Sequence, residues 1–356
     1  MLFVVSGLIE VAHLRYSFKH TDKVFAHQAG DYDEMEMLCA ATAGVLGRFP
    51  CHPLDTVKTV AFTGHYGASP SPTSSATIPG GASRGPSGAW QVARTIYRQE
   101  GVRGFYRGVG IAVGGAAPGN VLYLLTYDYA KRFGEQHVDS KNFLGNALLH
   151  LAGGFTAEAV SCAVWVPVDV IKERQQSQSS NVEGRYRNSW DALRTIFRNE
   201  SLSGLYRGYW STLASFGPFS AVYFMSLETI DQLHPLPPAD AAHQSSYFLC
   251  SLAHAAAANI ISCLVTNPLE MIKTRMQVQR AILTVEGKSV HSHQFSYEYR
   301  GVMNGMSRVI REEGVRGLWR GSGARILYAC PNSALTMAIY RSLKQHYATN
   351  PPPPPT

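Results

Sequence analysis

The sequence predicts an all-α membrane protein of six transmembrane helices in three tandem repeats with pseudo-threefold symmetry, with three short surface helices added. Three observations predict it. A proline followed by an acid two residues on and a base five residues on recurs as Pro53-Leu54-Asp55-Thr56-Val57-Lys58, Pro167-Val168-Asp169-Val170-Ile171-Lys172 and Pro268-Leu269-Glu270-Met271-Ile272-Lys273. A second run superposes three times, from Glu100 to Gly108, Glu200 to Gly208 and Glu313 to Gly321, and Pro118, Pro218 and Pro331 each follow its last glycine by ten residues. Hydrophobic residues make up 45% of the chain and charged residues only 16%, below the usual quarter of a soluble domain.

The mean hydropathy of -0.09 pulls against a membrane protein. A bundle around a wet cavity resolves the conflict, because each helix then turns polar residues inward and apolar ones to lipid. The net charge of +7 is spread over the repeat loops without a Lys/Arg run, so nucleic acid is not an expected partner. Cys39, Cys51, Cys162, Cys250, Cys263 and Cys330 show no paired short spacing, which excludes a disulfide framework or a zinc knuckle. No nucleophile, base and orienter stand together, so an enzyme is not expected, nor a cofactor.

Residues 1–35 form an N-terminal extension that opens on an apolar run without a basic flank, unlike a secretory signal or an Arg-rich presequence. Repeat 1 spans 36–134. Its first helix is expected near 36–62, with Gly44 and Gly47 small enough for a close neighbour. A Gly/Ser/Pro-rich insert follows over about 64–88, then an amphipathic segment from Trp90 to Gln99 and a second helix over about 109–134. Repeat 2, 143–233, places helices near 143–176, 187–199 and 209–233. Repeat 3, 245–347, places them near 245–278, 301–312 and 322–347, and a Pro-rich tail closes the chain at 348–356. Pro53, Pro167 and Pro268 each remove one helical hydrogen bond and are expected to kink their rods.

With these markers in place, the chain resembles the mitochondrial carrier family over roughly 36–347. Its members carry three repeats of this proline, acid and base signature, a short amphipathic helix, and an acid-glycine to aromatic-basic-glycine run. The resemblance implies a monomeric multi-pass protein of the mitochondrial inner membrane, imported without a cleaved leader, which carries a small-molecule solute and binds cardiolipin and membrane lipid.

The family implies two gates. On the matrix side each acid pairs with the base of the next repeat: Asp55 with Lys172, Asp169 with Lys273, Glu270 with Lys58. Gln176 and Gln277, four residues after their lysines, stand where the family braces a bridge; Phe62 takes that place in repeat 1. The cytoplasmic pattern is intact as Tyr127-Asp128-Tyr129-Ala130-Lys131, while Asp231 stands where a base belongs and Arg341 where an acid belongs. The two exchanged positions face each other in the family ring. A reversed bridge from Asp231 to Arg341 is thus expected beside Lys131 to Glu228 and Lys344 to Asp128. Arg107-Gly108, Arg207-Gly208 and Arg320-Gly321 open the even helices, where bare amides suit a phosphate. The aromatic-x-glycine turn of the lipid site survives only as Tyr299-Arg300-Gly301.

Family specificity is read two or three residues before the central proline of the even helices, here Gly115, Ala116, Ser215, Phe216, Tyr328 and Ala329, none of them charged. The missing arginine argues against carboxylate or phosphate exchange. On the odd helices, Arg48, Cys162 and Cys263 share one level and Glu158 and Asn259 another. One cation and one anion beside Phe216, Trp165 and Tyr328 suit a zwitterion or an organic cation. The segment Ala157-Glu158-Ala159-Val160-Ser161-Cys162 is similar to the third helix of S-adenosylmethionine carriers. Arg325-Ile326-Leu327-Tyr328 is similar to mitoferrins, and Cys162, Cys263 and Met225 offer soft ligands for iron. A non-transporting structural or receptor role is the reading of another class.

Overall fold

A computed structural model of the chain describes residues 34–63, 88–137, 143–178, 185–235, 244–279, 284–285, 288–289 and 299–349. The N-terminal extension, the insert and the Pro-rich tail lie almost wholly outside the described residues. Ten α-helices appear among the described residues: α1 Glu34–Thr63, α2 Ala89–Glu100, α3 Val109–His137, α4 Phe143–Ser177, α5 Ser189–Leu205, α6 Tyr209–Leu233, α7 Gln244–Val265, α8 Asn267–Val278, α9 Val302–Glu313 and α10 Ser322–Thr349. Short 3-10 turns at Gly101–Tyr106 and Val315–Trp319 complete repeats 1 and 3. One departure from the all-α expectation is a minimal antiparallel pair, β1 Thr284–Val285 and β2 Lys288–Ser289, within the loop expected after α8.

Apolar windows long enough to cross a bilayer occur within Ala89–Gly134 and Ala152–Ser177, and the bent pair Leu249–Val265 with Asn267–Val278 passes as a third. The expected single helix over 245–278 is therefore corrected to two, bent by 66° at Thr266. Pro268 explains the break, since its ring has no N–H and crowds the carbonyl four residues back. That carbonyl, Leu264 O, instead accepts a 2.9 Å bond from Trp319 Nε1. Asn267 Nδ2 donates to Leu318 O at 2.9 Å and ties the bend to the same turn. α1 and α4 run without a break across Pro53 and Pro167.

The surface helices use one pattern. Val92 and Ile96, Ala192 and Ile196, and Gly305 and Val309 are buried one turn apart, while Trp90, Trp190 and Met303 stay exposed. α5 starts at Asn188, whose side chain accepts from Asp191 N at 2.8 Å while Asp191 accepts from Arg187 N at 2.9 Å. α5 also carries Ser201 at φ 58, ψ -162, where repeats 1 and 3 have Gly101 and Gly314.

The described residues form two compact units. Within the described residues the first comprises 34–50, 113–137, 143–165 and 331–349. Small residues set its helix contacts: a Cβ on Gly47 would lie 2.5 Å from Thr336 Oγ1, and one on Gly119 would lie 2.6 Å from the Trp165 ring. Cys39 and Ala43 pack against Ile339 and Leu343. The second comprises the described residues within 51–112 and 166–330. It holds two apolar cores, one around Val57, Val60, Ala61, Val92, Ile96 and Ala324, the other around Phe62, Met271, Ile272, Tyr299, Val309 and Leu318.

Candidate functional site

The second unit brings the proline-acid-base signatures of all three repeats together. Asp55, only 4% exposed, takes Lys172 Nζ at 3.2 Å, Lys58 Nζ at 3.0 Å and Gln176 Nε2 at 3.4 Å. Asp169 takes Lys273 Nζ at 3.5 Å and Lys172 Nζ at 3.5 Å. Each lysine lies three residues after the acid of its own repeat, hence on the same helical face, so it can serve its own acid and that of the repeat before it. No ion pair between Glu270 and Lys58 is found among the described residues. Lys58 stays with Asp55 and lies 4.9 Å from the centroid of the Tyr328 ring.

The two glutamines differ. Gln176 reaches Asp55 and Thr56 and accepts from Thr59 Oγ1 at 2.9 Å, so it spans helices α1 and α4 beside the Asp55–Lys172 pair. Gln277 does not reach the Asp169–Lys273 pair. Its amide donates to Thr212 Oγ1 at 3.4 Å, and its Cγ packs close over Gly208. Of the at most two braces expected, Gln176 is the one that reaches its pair among the described residues. Phe62, in the third such position, is buried in the apolar core with Met271 and Ile272.

A second tier of charges went unassigned in the sequence reading. Arg174 and Arg275 lie seven residues after Pro167 and Pro268 and are among the most buried side chains. Arg174 forks onto Glu200 at 2.6 and 3.0 Å and donates to Gln277 O at 3.1 Å and Gln279 O at 2.7 Å. Arg275 pairs with Glu313 and donates to Phe62 O at 2.9 Å and Tyr299 OH at 3.2 Å. Each planar fork thus clamps the acid of its own repeat and a helix-end carbonyl of another, a task suited to guanidinium. Repeat 1 has Val60 at this place, and Arg107 takes over by bonding both Glu100 and Gln178 O. Arg185 stands 3.8 Å from Glu100.

The arginine that recurs seven residues after Pro167 and Pro268 was the signal that could have revealed this tier. Burial pushes the Glu313 carboxyl up, but Arg275 and Arg320 outweigh it and hold the group below its usual value. Glu173 was also missed. It is buried beside Lys172, within the fields of Asp169, Lys273 and Lys58.

The expected cytoplasmic residues take partners that the sequence reading did not name. Asp128 pairs with Arg132 Nε at 2.8 Å, one turn along α3. Asp231 pairs with His254 Nδ1 at 2.7 Å, from α6 to α7. Lys131 is half-buried and Glu228 exposed, while the side chains of Arg341 and Lys344 lie outside the described residues.

Of the cavity candidates in the first unit, Arg48 has its guanidinium 4.5 Å from the Trp165 ring centre, Gly115 and Ala116 are buried, and buried Glu158 accepts from Cys162 Sγ at 3.7 Å. In the second unit Asn259 accepts from Cys263 Sγ at 3.4 Å, and Phe216, Tyr328 and Ala329 are buried. Ser215 spends its hydroxyl on Ser211 O at 2.6 Å. No group of three or more His, Cys, Asp or Glu able to hold a metal occurs among the described residues.

The family model described as "Mitochondrial carrier protein" matches residues 35–137, 145–235 and 244–351. Mitochondrial substrate carrier family protein E of Dictyostelium discoideum is 31% identical over 325 residues, covering 86% of this chain and 94% of the relative. Mitoferrin of the same organism is 28% identical over 316 residues, covering 87% and 93%. Mitochondrial thiamine pyrophosphate carrier 1 of Neurospora crassa is 30% identical over 318 residues, covering 85% and 89%. With three matched repeats and the signature acids, bases and arginines assembled in one cluster, the chain belongs to the mitochondrial carrier family, the multi-pass solute transporters of the mitochondrial inner membrane.

Proposed function

We propose that this carrier moves a small zwitterionic or cationic metabolite, with S-adenosylmethionine as the first candidate, by alternating access between two charged gates. The observation that carries the reading is one cation and one anion in the first unit: Arg48 rests on the Trp165 ring, and Glu158 is a buried carboxylate two turns before Trp165 on α4. A sulfonium or ammonium suits a buried carboxylate and aromatic faces, and the solute's own carboxylate suits Arg48.

The matrix gate is assigned to Asp55, Lys58, Asp169, Lys172, Glu270 and Lys273, with Gln176 as the brace. Pairs of this kind lock weakly enough for a solute to shift them, since a ligand moves an equilibrium only by its differential affinity for the two states. The cytoplasmic gate is assigned to Asp128, Lys131, Glu228, Asp231, Arg341 and Lys344. Cardiolipin at the starts of α3, α6 and α10 and a monomeric working state belong to the same reading.

A second reading is iron. The Cys162–Glu158 and Cys263–Asn259 pairs each put a soft sulfur beside an oxygen donor, and several similar proteins are named mitoferrins. The test is uptake into proteoliposomes of labelled S-adenosylmethionine, ferrous ion and thiamine pyrophosphate, with Glu158→Gln as the control variant. Saturable S-adenosylmethionine uptake that Glu158→Gln abolishes supports the first reading, and uptake of ferrous ion alone replaces it with the second. Movement of none of the three rejects both.

A further inference from the structure

The charged cluster in the second unit is not a symmetric ring. Two lysines reach across to another repeat, Lys172 to Asp55 and Lys273 to Asp169. The third, Lys58, does not. Its Nζ stays 3.0 Å from Asp55 on its own helix and 4.9 Å from the centroid of the Tyr328 ring on α10. The acid it would have met, Glu270, is 8% exposed, and its Oε2 carries no hydrogen bond.

Lys273, Arg325 and Lys58 all act on the Glu270 charge, yet none stands within ion-pair distance among the described residues. Arg325 is held elsewhere: it donates to Cys263 O at 3.0 Å and Thr266 Oγ1 at 3.1 Å, with its guanidinium 5.5 Å from the Phe219 ring. A buried carboxylate with cations around it and none in contact is costly, and with Lys273 held by Asp169 and Arg325 by Cys263 O, Lys58 is the cation left to relieve it.

We propose that Tyr328 is a positioning residue, an aromatic clasp that keeps Lys58 off Glu270 and leaves the third bridge of the cluster unmade. The consequence of the clasp for opening rests on the gate reading given above. A closed gate with two inter-repeat bridges and a parked lysine opens at lower cost than one with three. The aromatic face can hold an ammonium without competing for its hydrogen bonds to Asp55. Leucine in its place removes the attraction, and Lys58 is then free to cross to Glu270.

A merely structural Tyr328 and a clasp predict different outcomes in a thermal unfolding cycle on the purified full-length protein in detergent. If Glu270 is unbridged, Glu270→Gln costs less than half the melting shift of Asp169→Asn, which removes an existing bridge. Tyr328→Phe keeps the aromatic face, so its melting loss is the same with Glu270 and with Glu270→Gln. Tyr328→Leu loses packing in any background, but with Glu270 present the new bridge returns part of it. Its melting loss is therefore smaller by about 1 °C than in the Glu270→Gln background, the size of one weak ion pair in a chain of this length. Equal losses in the two backgrounds overturn the clasp. So does a Glu270→Gln loss as large as that of Asp169→Asn, a comparison that decides the matter even if Tyr328→Leu does not fold. The melting pattern reads the bridges alone. If it holds while transport is indifferent to Tyr328→Leu, the gate reading fails and the clasp stands.

Discussion

Asp55→Asn is the perturbation with the most to lose. The carboxylate is buried with two ammonium groups and one amide around it, at 3.0, 3.2 and 3.4 Å. Asparagine can still accept from Gln176, but it brings no charge to Lys58 and Lys172. Removing one partner of a buried pair costs about 3–5 kcal/mol, because the charge left behind has no water to return to. The low end applies here, since Lys172 retains Asp169 and Lys58 retains the Tyr328 ring.

About 3 kcal/mol corresponds to a fall in melting midpoint of about 4 °C in a chain of this length. Asp128→Asn is the internal comparison. Its partner Arg132 is about half exposed, and such a pair is worth about 0–1 kcal/mol. A thiol-reactive dye suits the assay, because Cys39, Cys51, Cys162 and Cys263 are buried and report on loss of the fold. If Asp55→Asn melts no lower than Asp128→Asn, the second unit does not depend on this cluster, and the assignment of a lock there is wrong.

Three further outcomes are expected. Ser201 sits at φ 58, ψ -162, a region natural to glycine, and strain of this kind costs about 1–3 kcal/mol. Ser201→Gly gives back about 0.5–1 kcal/mol of that in chain entropy and should still raise the melting midpoint; an unchanged or lower midpoint refutes the strain. Asp231→Arg removes the carboxylate from His254 and should impair uptake. Arg341→Asp added to it should restore uptake only in part, since His254 still lacks its partner; equal activity in all three proteins refutes the pairing. Glu313 has a folded pKa below its unfolded 4.5. Its contribution is therefore complete above that value and is lost as the pH falls through the folded one. Glu313→Gln should flatten the acid limb of stability between pH 5 and pH 3, and an unchanged limb counts against the Arg275 clamp.

The repeats made much of this legible. The helix boundaries were set by apolar length and by signature glycines, and even the surface helices end within a few residues of expectation, apart from the longer α5. Charge complementarity among the signatures was legible and the family resemblance supplied the pairings, while an acid and a base three residues apart share a face, which lets one lysine serve two acids. The bend at Thr266 was not legible. All three repeats carry the proline, and only in repeat 3 does a tryptophan, Trp319, stand ready to take the carbonyl that Pro268 releases. Gln277 could not be told from Gln176 by spacing, because the difference lies in the neighbour, Thr212 rather than Asp55. His254 was passed over for the same reason: its partner is 23 residues away on another helix.

The departures from threefold equivalence fall mostly on α1, and they share one physical character. Val60 replaces the arginine position, Phe62 replaces the glutamine position, and Lys58 lies under an aromatic ring instead of reaching another repeat. In each case a directional polar bond has given way to an apolar or aromatic contact. Burying a side chain of the size of Val60 or Phe62 contributes roughly 1.5–3 kcal/mol, so α1 is not held less firmly for the exchange. The contact differs in how it fails. A guanidinium fork such as Arg174 on Glu200 loses both bonds if the helix ends shift by an ångström or two. Phe62 against Met271 and Ile272 can slide and remain covered, because apolar burial has no preferred direction. The side chains of Val60 and Phe62 leave α1 free to slide, so what fixes the end of that helix is the bonds other repeats make to it, Arg275 to Phe62 O and Gln176 to Asp55.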